Sequence, residues 1–310
     1  MPAVKRLHPK DIFDADDWRE LSKRSWWRGI YLAGHAWGVI GLSVAAVELL
    51  PNPITYLLAV MVIGTRQLGL AILMHEAAHG TLHPVPAIND FLGEWVCGQP
   101  IGASLKRYRP YHLQHHKFAQ QAEDPDLGLS AKFPTTPASL RRKVIRDLTG
   151  QTFFTQRVKP YLGFFDPQIR RSARFQAFLR SEPRFLACNA VMALVAIGSG
   201  HGLAFLGLWI VPMATWYPLV TRIRNIAEHA CVGDGSDPFR QARTTRASWI
   251  ERAFIAPYYV NFHSEHHLFM HISCWNLPKA HQALGRQGRH DSMEIGQGYA
   301  AVLRQVAPRS

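Results

Sequence analysis

Residues 29–50 read GIYLAGHAWGVIGLSVAAVELL, 22 positions in which only His35 and Glu48 are strongly polar. A Pro51-Asn52-Pro53 turn follows, then a second apolar run from Ile54 to Met74 that is interrupted by Arg66 and Gln67. About 20 apolar residues carry a helix across a bilayer core, so these two runs predict a helical hairpin in a membrane. A third tract, Phe185 to Val220, breaks once at Gly198-Ser199-Gly200-His201-Gly202 and predicts a second hairpin. Phe185–Ile197 is short for a crossing and must recruit residues before Arg184, whose side chain can snorkel. Pro212 and Pro218 are tolerable where neighbouring helices satisfy the freed carbonyls. The expected fold is an all-α integral membrane protein with four transmembrane helices in two hairpins. Burial in a soluble core would leave the paired runs and their uncharged turns unexplained.

Charge sets the orientation. The hairpin turns carry no Lys or Arg, whereas residues 1–28 hold seven and residues 105–183 hold fifteen. Basic loops stay inside, so both termini and the long central loop are expected in the cytoplasm. Trp26 and Trp27 fall where an interfacial aromatic belt belongs. The formal net charge of +13 then reads as membrane orientation and contact with anionic lipid; no nucleic-acid motif accompanies it, and no nucleic-acid partner is expected. Four cysteines, Cys97, Cys188, Cys231 and Cys274, stand too far apart for a Cys-x-x-Cys pair and fit a reducing compartment. The N-terminus lacks the short apolar segment and small-residue cleavage site of a removable signal peptide. Residues 87–104, mildly apolar but containing Asp90 and Glu94, predict an interfacial amphipathic helix.

The chain therefore reads as one membrane domain over 1–310. A cytosolic segment (1–28) leads into the first hairpin (29–74). A cytosolic loop (75–184) joins it to the second hairpin (185–224), and a cytosolic C-terminal segment (225–310) follows.

The 16 histidines are clustered. His75-Glu76-Ala77-Ala78-His79 stands where the second apolar run ends. His112-Leu113-Gln114-His115-His116 lies in the basic loop, and His263-Ser264-Glu265-His266-His267 in the C-terminal segment. Asn225-Ile226-Ala227-Glu228-His229 ends the last crossing and again spaces two donors by four. Spacings of three and four place imidazoles on one helical face, and the topology puts all four groups on the cytoplasmic side. Imidazole suits iron, zinc, copper and nickel, but a tetrahedral zinc takes only four ligands. Nine convergent histidines suit two metal ions. Carboxylate-bridged bundles use Glu-x-x-His pairs instead.

The order HEAAH, HLQHH, HSEHH resembles the membrane fatty acid desaturase superfamily, which includes related hydroxylases and ketolases. Asp124-Pro125-Asp126-Leu127 after the second box, and Leu277-Pro278-Lys279-Ala280-His281 after the third, resemble bacterial fatty acid desaturases. The resemblance covers roughly residues 30 to 285. It implies four membrane helices with a cytosolic helical cap holding a di-iron site, in a bacterial inner membrane. The implied iron ligands are His75, His79, His112, His115, His116, His263, His266 and His267, with His229 as the ninth and Asn225 acting through water. His83 continues the stripe of the first box but precedes Pro84, and it is not expected to bind metal. His271 and His281 are given supporting places, and His35 and His201 are expected toward the far side of the membrane, unrelated to the metals. Glu76, Glu228 and Glu265, each beside a ligand, can orient imidazole N–H groups or simply face solvent.

Two iron ions with O2 as co-substrate would remove two hydrogens from adjacent carbons of an acyl or lipid chain. No haem-binding or ferredoxin-like module is present in the sequence, so an external electron-transfer protein, ferredoxin or cytochrome b5-like, is implied. Hydroxylation or ketolation of a lipid, alkane or carotenoid is the alternative, because Asn-x-x-Glu-His also resembles alkane hydroxylases. HEAAH is also literally the HExxH motif of zinc proteases, with Glu76 as base, but that reading ignores the other boxes. A metal transporter would need histidines along a path across the membrane. Arg66, inside a crossing, is expected to snorkel or pair with a neighbour such as Glu94, ahead of lining a substrate entrance. Lys106, Arg107 and Arg109 are candidates for receiving an acidic head group or an electron donor.

Overall fold

A computed structural model of the chain describes residues 4, 7–180, 183–233 and 236–308. It is almost entirely helical, and among the described residues the only strands are a parallel pair, β1 (Arg243–Thr245) and β2 (Glu294–Gly296). The first hairpin forms as expected from helices α1 (Arg28–Leu49) and α2 (Pro53–Ala78). Asn52 caps α2, its side-chain oxygen accepting the N–H groups of Ile54 (3.0 Å) and Thr55 (3.1 Å). Pro53 costs no hydrogen bond at that first helical position. From Ile63 to Leu70 and from Ile72 to Ala78, α2 is buried without a break, so it is the central helix. Helix α1 is mostly outward-facing, with Ile30, Tyr31, Leu42 and Leu49 exposed. Such a band of exposed apolar side chains suits lipid rather than water.

Among the described residues, three helical runs are long and apolar enough to cross a membrane: α1, α2 and the run Gly202–His229. The expected fourth crossing, α4 below, is carried by only 16 residues, Pro183–Gly198. Of the residues before Arg184 that it was expected to recruit, Pro183 joins the helix, and 181 and 182 lie outside the described residues. The two hairpin turns meet at one end, where Nδ1 of His201 donates to Oε1 of Glu48 (2.5 Å) and the Tyr56 hydroxyl donates to the Gly207 carbonyl (3.1 Å).

Helix α4 (Pro183–Gly198) starts from the other end, where the remaining elements that concern the site lie: α3 (Leu105–Phe118), the end of α5 (Trp216–His229), α6 (His263–Leu268) and α7 (Leu277–Arg286). Residues 86–101 are helical, with Leu92, Glu94, Cys97 and Gln99 buried and Ile88, Phe91 and Trp95 exposed. A second apolar cluster joins Ile12, Phe13 and Leu21 of the N-terminal segment to Phe269, Ile272, Leu277 and Leu284. The two ends of the chain thus close over α6 together.

Arg66 does not pair with Glu94. It is 8% exposed, its Nη2 donates to the Ala253 carbonyl (3.1 Å), and its guanidinium lies over the Tyr258 ring, 5.4 Å from the centroid. Glu94 instead pairs with Arg184 (2.9 Å) and accepts from Gln99 (2.8 Å). His35, expected toward the far side of the membrane and unrelated to the metals, lies 3.0 Å from the Tyr258 hydroxyl through its Nδ1. Arg66 and His35 therefore anchor the segment that leads into the third histidine box.

A candidate two-metal centre

Helix ends build the site. His75 stands in the last turn of α2 and His79 caps it. Helix α3 supplies His112, His115 and His116, α6 supplies His263, His266 and His267, and α5 ends on His229. The i, i+4 spacing sets the His75 and His79 rings side by side, centroids 4.9 Å apart. Arg109 fastens the two boxes together, donating to the last carbonyls of α2, Ala77 (3.0 Å) and Ala78 (3.2 Å), while pairing with Asp90.

All nine histidines singled out in the sequence converge. Ring nitrogens of His75, His79, His112, His116 and His266 lie within 4.8 Å of one another, and those of His115, His229, His263 and His267 do likewise. The groups adjoin where His116 and His267 stack, ring centroids 4.3 Å apart. Nε2 atoms face each other throughout: His112 to His79 at 2.9 Å, His116 to His112 and to His266 at 3.0 Å, His263 to His229 at 2.9 Å, and His267 to His263 at 3.1 Å. A neutral imidazole has one N–H and one lone pair, so these crowded nitrogens cannot all satisfy each other by hydrogen bonding. Nε2 of His75 is buried with no hydrogen-bonding partner. Both features fit two imidazole-bound cations. His112, His116, His263, His266 and His267 have pKa values well below the ordinary imidazole value, through burial first and neighbouring imidazoles second. Burial keeps them neutral, which is the form that binds metal.

Asn225 lines a cavity of about 30 Å³ with His112, His115, His229 and His263, which is room for a water. Its Oδ1 accepts from Arg224 (3.2 Å). His83 belongs to neither histidine group; its Nδ1 accepts the N–H of Val85 (3.0 Å).

The three flanking glutamates behave differently from one another. Glu76 accepts from the Thr81 hydroxyl (2.9 Å) and the Cys274 N–H (2.8 Å), so it ties the first box to the C-terminal segment. It is not left free to act as a protease base. Glu265 accepts from His281 (2.5 Å) and from the Thr244 hydroxyl, which gives His281 its supporting place. Glu228 pairs with Arg224 (2.6 Å) and lies 3.4 Å from His263 Nε2, the nitrogen that faces His229, rather than behind the ring. Glu76 Oε1 also lies 3.6 Å from Nδ1 of His75, and the carboxylate hydrogen-bonded to a ligand is Asp124: Nδ1 of His115 donates to its Oδ1 at 2.8 Å. That bond fixes the tautomer and leaves Nε2 of His115 directed inward. The Asp-Pro-Asp run after the second box was the available signal for this role.

Comparison with known proteins agrees. The fatty acid desaturase family model matches residues 51–298. The chain is 28% identical over 236 residues to the dihydrorhizobitoxine desaturase of Bradyrhizobium elkanii, covering 73% of this chain and 66% of that protein. It is 21% identical over 267 residues to the beta-carotene ketolase of Paracoccus sp. (strain PC1), covering 83% and 89%. It is 24% identical over 313 residues to the chloroplastic omega-6 fatty acid desaturase of Brassica napus, covering 89% and 62%. The chain thus spans about two thirds of the length of both desaturases. With the match extending from the start of the central helix through the last histidine box, the chain belongs to the fatty acid desaturase family.

Proposed function

We propose that the protein is an integral membrane, O2-dependent di-iron desaturase that introduces a C=C bond into the alkyl chain of a membrane lipid or other acyl substrate. The observation that supports this most strongly is the convergence of nine imidazoles into two adjoining groups. His75, His79, His112, His116 and His266 would hold one iron, and His115, His229, His263 and His267 the other, with Asn225 contributing through a water. When bound, the irons supply the O2-dependent oxidation that an unactivated C–H bond demands. The protein's own part is placement and exclusion of water. Asp124 fixes the His115 ring, and seven of the nine histidines are buried, which shields the reacting chain from solvent.

In this reading four helices cross the inner membrane, with both termini and the metal site cytoplasmic, as the loop charges require. A separate ferredoxin or cytochrome b5-like protein delivers two electrons. Similarity to a carotene ketolase over most of both chains favours one second reading, hydroxylation or ketolation at the same site.

The test is metal analysis of the purified protein followed by lipid profiling of expressing cells. About two irons per chain and a new alkene are expected. A hydroxylated or oxo product with no alkene would move the assignment to the second reading. Zinc alone, after iron-supplemented expression, would sink both.

A further inference from the structure

On the same side as the histidines, but outside their groups, a concave pocket of about 310 Å³ opens at the start of α1. Lys23, Arg24, Arg28 and Lys279 line it, and among the described residues Glu20 is the one acid in its wall. None of the four cations has an ion-pair partner among the described residues. Arg24 is bonded only to a carbonyl, that of Gly80. The guanidinium of Arg28 lies over the Trp27 ring, 5.7 Å from its centroid.

The helix end adds to this field. Trp27 caps α1 without a side-chain hydrogen bond, and no acidic residue occupies the first turn of that 22-residue helix. A helix N-terminus carries partial positive charge, so cations there are the wrong sign for stability. The Arg28 N–H already donates to the Ser25 hydroxyl (3.2 Å), so an anion here is held by the cations and the field of the helix end. Sequence and fold have thus assembled a pocket whose wall carries four cations against one acid.

The aromatic residues locate it. Trp26 is 71% and Trp27 47% exposed, immediately before the lipid-facing Ile30 and Tyr31 of α1, and Trp275 forms the opposite wall. Exposed tryptophan at the end of an apolar helix belongs at head-group depth. A phosphate carried by a water-soluble molecule would have no use for that belt. We propose that this pocket binds the phosphate of an anionic membrane phospholipid, whose chains lie along the outer face of α1. The inference is independent of the metal chemistry.

Delipidated protein in neutral detergent is titrated with dioleoyl phosphatidylglycerol or dioleoyl phosphatidylcholine, and bound lipid is counted by native mass spectrometry. Phosphatidylglycerol should bind roughly tenfold or more tightly. The double variant Lys23→Gln with Lys279→Gln should lose that preference while keeping its melting temperature and metal content. The double variant Arg141→Gln with Arg142→Gln makes the same charge change at two exposed positions elsewhere and should keep the preference. Equal affinity of the wild-type protein for the two lipids overturns the proposal, and needs no variant to be read. Equal loss in both double variants reduces the effect to net charge and also overturns it. Displacement of bound phosphatidylglycerol by millimolar inorganic phosphate or coenzyme A would assign the pocket to a soluble phosphate instead.

Discussion

The rings of His116 and His267 stack at 4.3 Å with their planes 30° apart, although the residues belong to different histidine groups and lie on α3 and α6. The two groups are therefore mechanically one unit, since moving either ring shifts the neighbours of both.

Replacing His116 with Ala is accordingly expected to lower metal content by more than one of the two ions. Activity should be abolished while membrane insertion is retained. Metal per chain, measured on purified protein, checks this; a clean loss of one ion would show that the groups are independent.

Asp124→Asn keeps the shape at His115 but removes the charged acceptor behind it. Loss of such a partner typically costs roughly 10–100-fold in metal affinity. Chelator competition on the loaded protein reads this directly, and wild-type retention in the variant would remove Asp124 from the site's design.

Gly29→Ala places a Cβ 2.0 Å from the carbonyl oxygen of Leu82, a backbone atom that cannot swing aside. Overpacking of this kind costs about 1–3 kcal/mol. The variant should melt at a lower temperature in detergent than Gly34→Ala, where the added methyl meets nothing within 4 Å. Equal melting temperatures would contradict the close seating of α1 against the first box.

Acid should unfold the metal-free protein. The buried imidazoles hold pKa values below those of the unfolded chain, so below about pH 6.5 the unfolded state binds more protons. Stability then rises with pH up to that range and levels off above it. Melting curves of metal-free protein from pH 5 to 8 test the sign, and a flat or falling profile would be the wrong one.

Spacing singled out the histidine clusters, because three- and four-residue intervals on helix ends leave little choice of face, and the family resemblance implied the nine as a ligand set. Adjacency told only part about the carboxylates: one oxygen of Glu76 lies 3.6 Å from Nδ1 of His75. Neighbouring helical residues point about 100° apart, so Glu76 and Glu265 sit beside ligands in sequence yet reach Cys274 and His281 in space. Asp124 comes back to His115 from nine residues on, through a turn in which Gln120 takes a left-handed φ of 62°. No periodicity records such a turn. Arg66 and Glu94 likewise found partners in distant segments, Ala253 and Arg184.

What the amino-acid sequence determined by itself is local and periodic: apolar runs of bilayer length, charged loops on one side, and imidazoles in register on helix ends. These depend on spacing within one segment, which the helical repeat converts directly into a face. Tertiary structure alone decided which carboxylate serves which imidazole, and that the nine nitrogens divide into groups of five and four. Those choices depend on how α2, α3, α5 and α6 approach one another, and that is set by packing among residues from 33 to 152 positions apart.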